Sequence, residues 1–142
     1  MALVLALFLA LAAASPKPAV TTPSDDVALR GYEAIVYFTD GHADRGLPQF
    51  ETRWNGARWR FGTATHRDAF VQAPAKHAPR FGGHCAWAVA HGYTPDGDPK
   101  AWKIVDGRLC VNYSKRVQRK WEENIPEYTE QGQANWPAVP NK

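Results

Sequence analysis

The chain has 142 residues, with 17 Lys and Arg against 14 Asp and Glu for a formal net charge of +3, and its first 14 residues carry no charge at all. Setting that apolar block aside leaves 128 residues, the size of one domain that can bury a core without help from a disulfide or a metal. The hydrophobic share falls from 44% overall to about 38% in the remainder, and six Trp, five Tyr and six Phe against one Met exclude a disordered chain and predict a core built from rings.

Residues 1–14 read as a secretory signal peptide. Leu3 to Leu11 is a run of Leu, Ala, Val and Phe, and Ala12, Ala13, Ala14 and Ser15 suit a small-residue cleavage site, although the n-region, without Lys or Arg, reads as truncated. As a helix the block reaches only about 21 Å, short of the roughly 30 Å of hydrocarbon in a bilayer. No membrane span is therefore expected in the mature protein, and its destination is periplasmic or extracellular. Residues 15–26, with Pro16, Pro18 and Pro23 among Ser and Thr, read as an extended linker, residues 27–137 as the domain and 138–142 as a tail.

Within the domain, Tyr32 and Ile35 to Phe38 form an apolar cluster ended by Asp40-Gly41. Phe50 to Trp54 and Arg58 to Phe61 flank Asn55-Gly56, the dipeptide that best tolerates positive φ at both turn positions, and so predict a β-hairpin. Thr63 then caps a short helix whose apolar side is Phe70 and Val71 and whose end is Pro74. Cys85 to Ala90 predicts a second helix closed by Gly92, and Ala101 to Tyr113 repeats the hairpin pattern around Asp106-Gly107. Ser114 caps a further helix with Val117 and Trp121 on one face, after which Pro126 breaks that helix or starts another. The order predicts an α+β single domain, a small antiparallel sheet built from β-hairpins with short flanking helices, and no repeat long enough for a solenoid.

Gly31-Tyr32, Tyr37-Phe38-Thr39-Asp40-Gly41, Trp54-Asn55-Gly56-Ala57-Arg58-Trp59-Arg60-Phe61, Phe81-Gly82-Gly83-His84-Cys85-Ala86-Trp87-Ala88, Gly97-Asp98-Pro99, Ala101-Trp102-Lys103-Ile104-Val105-Asp106-Gly107 and Ala134-Asn135-Trp136-Pro137 together resemble the YHS domain family in its secreted bacterial form. The resemblance spans roughly residues 27–137. It implies a small α+β module of the kind associated with heavy-metal handling and found fused to copper-transporting ATPases. Where the metal-binding relatives carry cysteines, this chain has Gly62 and His66. Metal ligands must therefore come from elsewhere in the chain.

The candidate constellation is His84, Cys85, His91 and Cys110. Cys85 follows two glycines at a predicted helix N-terminus, where free backbone N–H groups and the helix dipole favour a thiolate. Thiolate with imidazole suits Cu(I) or Zn(II), and Cys110 would add a second sulfur. In an oxidising compartment the same two cysteines can instead form a Cys85–Cys110 disulfide closing a 26-residue loop, a constraint of about 3–4 kcal/mol in the chain-entropy account. Three functional classes follow: a module binding a soft metal ion, a thiol-based redox protein using Cys85 and Cys110, and a structural domain serving a protein partner. The basic residues are scattered apart from Lys115, Arg116, Arg119 and Lys120, so no nucleic-acid partner is expected. His42, His66, His77 and His91 read as solvated or capping side chains, and Trp136 as the residue that pins the C-terminal segment to the domain.

Overall fold

Two tight turns organise the protein, and both carry the residue pair that such turns demand. Asn55 and Gly56 have φ of 50° and 78°, and Asp106 and Gly107 have φ of 51° and 73°. In each turn the positive φ matches the twist of the strands it joins. The first turn joins β1 (Leu47–Trp54) to β2 (Ala57–Phe61), and the second joins β3 (Asp98–Val105) to β4 (Arg108–Asn112). Each pair is antiparallel and forms its own two-stranded sheet, so the α+β expectation holds with two small sheets in place of one. The computed structural model describes residues 20–23 and 25–136; the apolar leader, part of the proline-rich stretch and the tail lie outside the described residues.

Short-range chemistry starts the helices. Thr63 Oγ1 accepts the His66 backbone N–H at 3.1 Å to open α2 (Ala64–Gln72), and Ser114 Oγ accepts that of Val117 at 3.1 Å to open α5 (Lys115–Glu122). Between these lie α3 (Pro74–His77) and α4 (Ala86–Ala90), while α1 (Val36–Thr39) is the apolar cluster ahead of Asp40. Pro126 starts a helix: it sits in the first turn of α6 (Ile125–Asn135), where its missing N–H costs nothing. Phe70 is fully buried on α2 but Val71 is 54% exposed, because only one side of this short helix meets the hairpin. Among the described residues no helix is long and apolar enough to cross a membrane.

The two hairpins belong to a duplicated unit, which the reading of the sequence did not anticipate. The main backbone landmarks of the first half recur 51 or 52 positions later. A left-handed turn opens both halves, with φ of 53°, 52° and 84° at Leu29, Arg30 and Gly31 and of 56°, 62° and 87° at Phe81, Gly82 and Gly83. The next residue bridges a later strand-like segment in each, Tyr32 to Arg45 and His84 to Asp96. A glycine N–H then closes the loop back onto the turn, Gly46 to Gly31 O at 2.8 Å and Gly97 to Gly83 O at 2.9 Å. Even the register slip matches, since Leu47 pairs with Phe61 and Glu51 with Arg60, while Asp98 pairs with Asn112 and Trp102 with Val111.

Packing joins the halves through β4. Leu109 and Val111 enter a cluster with Tyr37, Trp59, Phe61 and Phe70, in which the Phe70 ring lies 4.9 Å from Trp59 and 5.1 Å from Phe61. Cys110, pointing the other way, enters a second cluster with Phe81, Ala86, Val89 and Trp121. The stretch expected as a linker is docked in part: Val20 and Thr21 are buried, Thr21 N–H donates to Gly82 O at 2.9 Å, and its hydroxyl donates to Asp96.

A Cβ at Gly46 would stand 2.3 Å from the Arg60 carbonyl carbon, and one at Gly97 would stand 2.4 Å from Val111 and 2.7 Å from Gly83 O, whereas one at Gly41 meets nothing within 4 Å. Gly46→Ala and Gly97→Ala should each destabilise the protein by about 3 kcal/mol or more in urea denaturation. Gly41→Ala, with backbone strain alone, should cost about 1–2 kcal/mol.

Candidate functional site

Cys85 is the N-terminal boundary residue of α4, as its position after Gly82-Gly83 predicts, and it is fully buried. Its backbone N–H donates to Pro95 O at 2.9 Å, and its carbonyl accepts Val89 N–H at 2.9 Å, so the residue is held at both ends. The thiol faces the Asn112 side chain, with Sγ 3.5 Å from Oδ1. Asn112 Oδ1 also accepts the Trp87 N–H at 3.0 Å, tying β4 to the start of α4. Burial raises the Cys85 pKa, against the opposing effect of backbone N–H groups at Ala88, Tyr113 and Trp87. The helix-end donors are therefore present as expected, but desolvation outweighs them and Cys85 is a thiol, not a thiolate, at neutral pH.

The other three candidates are not gathered around it. His84 and Cys85 have different surroundings, the Cys85 thiol facing Asn112 and the His84 ring facing Trp136. The buried His84 ring lies 5.7 Å from that of Trp136. Cys110 shares a face of β4 with Asn112 but stands two residues back, about 6.6 Å along the strand. Its sulfur meets Arg108 O at 3.9 Å, and both cysteines are free. His91 lies past the far end of α4, stacked on Trp87 at 4.0 Å, and its Nδ1–H donates to Trp87 O at 2.7 Å. That is the capping role, at a helix end. Among the described residues no three His, Cys, Asp or Glu side chains come together to hold a metal ion.

Comparing the halves shows where chemistry replaces packing. The inward positions of β2 are Ala57, Trp59 and Phe61, and the matching positions of β4 are Arg108, Cys110 and Asn112. The residue that matches Cys85 is Glu33, which is 3% exposed; its carboxylate accepts the Gly62 N–H and pairs with His66 Nδ1. Thus His66 is no free surface side chain, and the pair is a structural contact that the sequence does not announce. No short-range signal points to it, because Glu33 and His66 lie 33 residues apart.

Above Cys85 the second half opens a cleft of about 430 Å³ lined by Cys85, Trp87, Ala88, Tyr93, Pro95, Tyr113 and Val117. The lining is mostly apolar, its polar groups being the buried thiol, the Trp87 indole N–H and the two phenol hydroxyls. Tyr93 and Tyr113 stand at its edge, 66% and 59% exposed. The chain has no match among family models, curated proteins or solved structures. The geometry of this half is therefore what carries the functional argument.

Burial pushes the Cys110 thiol from an ordinary value near 9 up to about 11, with Arg80 and Arg108 pulling it down and Asp106 raising it. The folded state holds this proton more tightly than the unfolded chain, so its contribution is complete below pH about 8.5 and is lost as pH rises toward 11. Between about pH 8.5 and 10.5, urea denaturation should show a loss of stability about 2 kcal/mol smaller in Cys110→Ala than in the parent chain. Thiol titration should find no rapid reaction in the native state and two thiols per chain after unfolding without reductant. A count of zero would mean that the cysteines had been paired.

Proposed function

We propose that the protein is a binding module whose ligand site is the aromatic cleft over Cys85, and that the ligand is a small, uncharged, apolar molecule. The observation that carries this reading is the cleft itself. Three aromatic rings and three aliphatic side chains line it around a single thiol, in the half whose strand carries Cys110 and Asn112 in place of the packing rings Trp59 and Phe61. Concave, mostly apolar sites with few polar atoms are the usual form of small-molecule sites. The likeness to secreted YHS domains and the apolar leader support placing this module outside the cytoplasm.

Cu(I) or Zn(II) at Cys85 is the second reading, favoured by the same thiol and by Asn112 Oδ1 at 3.5 Å from it. Its donor set does not extend to His84, His91 or Cys110, so it would be a site of one sulfur and few partners. Thiol redox chemistry is supported less well, since the raised Cys85 pKa lowers the thiolate population that attacks a disulfide.

Titration with the neutral fluorophore N-phenyl-1-naphthylamine should show saturable binding near one equivalent. Tyr93→Ala and Tyr113→Ala, both exposed and remote from the core, should each weaken it by about tenfold through lost ring contact. Unchanged affinity in the double variant, or no saturation in the parent chain, would remove the cleft as the site. One equivalent of Cu(I) bound anaerobically by the parent chain and lost in Cys85→Ser would select the metal reading.

A further inference from the structure

Apart from the cleft, the second half carries a pocket of about 280 Å³ lined by Arg80, Phe81, Arg108, Gln133 and Trp136. It shares no lining residue with the Cys85 cleft. Two guanidiniums face it, and among the described residues neither has a carboxylate within ion-pair distance. Every other partly buried arginine of the β-hairpins is compensated differently: Arg58 and Arg60 both reach Glu51, at 3.5 and 2.8 Å.

Arg108 is the sharper anomaly. Its Nε is buried without a hydrogen-bond partner, a costly state for a charged donor. Burial and the neighbouring Arg80 both press its pKa down, which means that the positive charges of the pocket are mutually unfavourable as they stand. Arg80 meets the Cys110 sulfur, a neutral thiol that cannot compensate a charge. The duplication sharpens the point, because the matching residues of the first half are Ala28 and Ala57. The fold is built there without charge, so neither arginine is required by the backbone plan.

Aromatic surface completes the pocket. Trp136 and Phe81 lie with ring centroids 5.6 Å apart, and Gln133, one turn earlier on α6, supplies an amide. We propose that this pocket binds a small anion with an aromatic or apolar body, its oxygens held by Arg80 and Arg108 and its body set against Trp136. Carboxylates and phosphate monoesters share the chemistry required, oxyanions matched to a planar guanidinium fork. An ion there would neutralise the paired charges and give the Arg108 side chain the acceptor it lacks.

Calorimetric titration of the full chain with benzoate, phenyl phosphate and neutral benzamide tests this directly. Benzoate or phenyl phosphate should bind with saturation near one equivalent, whichever is tighter naming the headgroup, and benzamide should be at least about tenfold weaker. Arg80→Gln and Arg108→Gln should each weaken the anion by about tenfold while the melting temperature shows the fold retained. Equal binding of benzamide, absence of saturable binding by either anion, or unchanged affinity in both variants would overturn the assignment. The benzamide comparison needs no variant, and because N-phenyl-1-naphthylamine is uncharged, failure at this pocket is distinct from failure at the cleft.

Discussion

The structure depends on a backbone clasp that only glycine permits. Gly46 lies against the backbone of β2, and Gly97 lies against Val111 of β4 and the Gly83 carbonyl, in each case closer than a Cβ would allow. These contacts bring the left-handed turn of each half down onto its hairpin, and the segment that follows the turn inherits its position from them. Cys85 is one residue beyond the bridge between His84 and Asp96, so its place against Asn112 follows from the Gly97 contact. The thiol, the cleft above it and the start of α4 are all consequences of that close approach.

The clasp also explains why β4 is the central strand in a protein whose sheets have only two strands each. Its Leu109 and Val111 complete the ring cluster of the first half, while Arg108, Cys110 and Asn112 face the helices of the second. One strand thus belongs to both cores. In β2 the corresponding outward positions are Arg58 and Arg60, bound to Glu51 at the surface, and the inward ones are packed by Trp59 and Phe61. The two halves share a backbone and divide its uses, with aromatic packing dominant in the first and polar strand residues concentrated in the second.

Much of this fold was legible because its signals are short-range. Asn55-Gly56 and Asp106-Gly107 prescribe their turns, Thr63 and Ser114 prescribe helix starts three residues before the N–H they accept, and Trp121 declares its buried face by its spacing from Val117. The duplication was not legible in the same way. Its markers are glycines, turn pairs and caps, while the residues between them differ in kind, as Glu33 differs from Cys85. The candidate site failed for a geometric reason: adjacency in sequence suggested that His84 and Cys85 act together, yet the thiol faces Asn112 and the imidazole faces Trp136. Burial acted on Cys85 in the same hidden way, since helix-end donors are visible in a sequence and desolvation is not.

The repeated clasp gives one backbone socket two different fillings. The two copies are not redundant, because each glycine contact holds its own hairpin and β4 belongs to both cores. Glu33, bonded to Gly62 and His66, fills the first socket with a polar joint, whereas the matching Cys85 fills the second with a thiol against Asn112. The same turn, hairpin and helix thus carry a carboxylate–imidazole pair in one half and a buried thiol in the other.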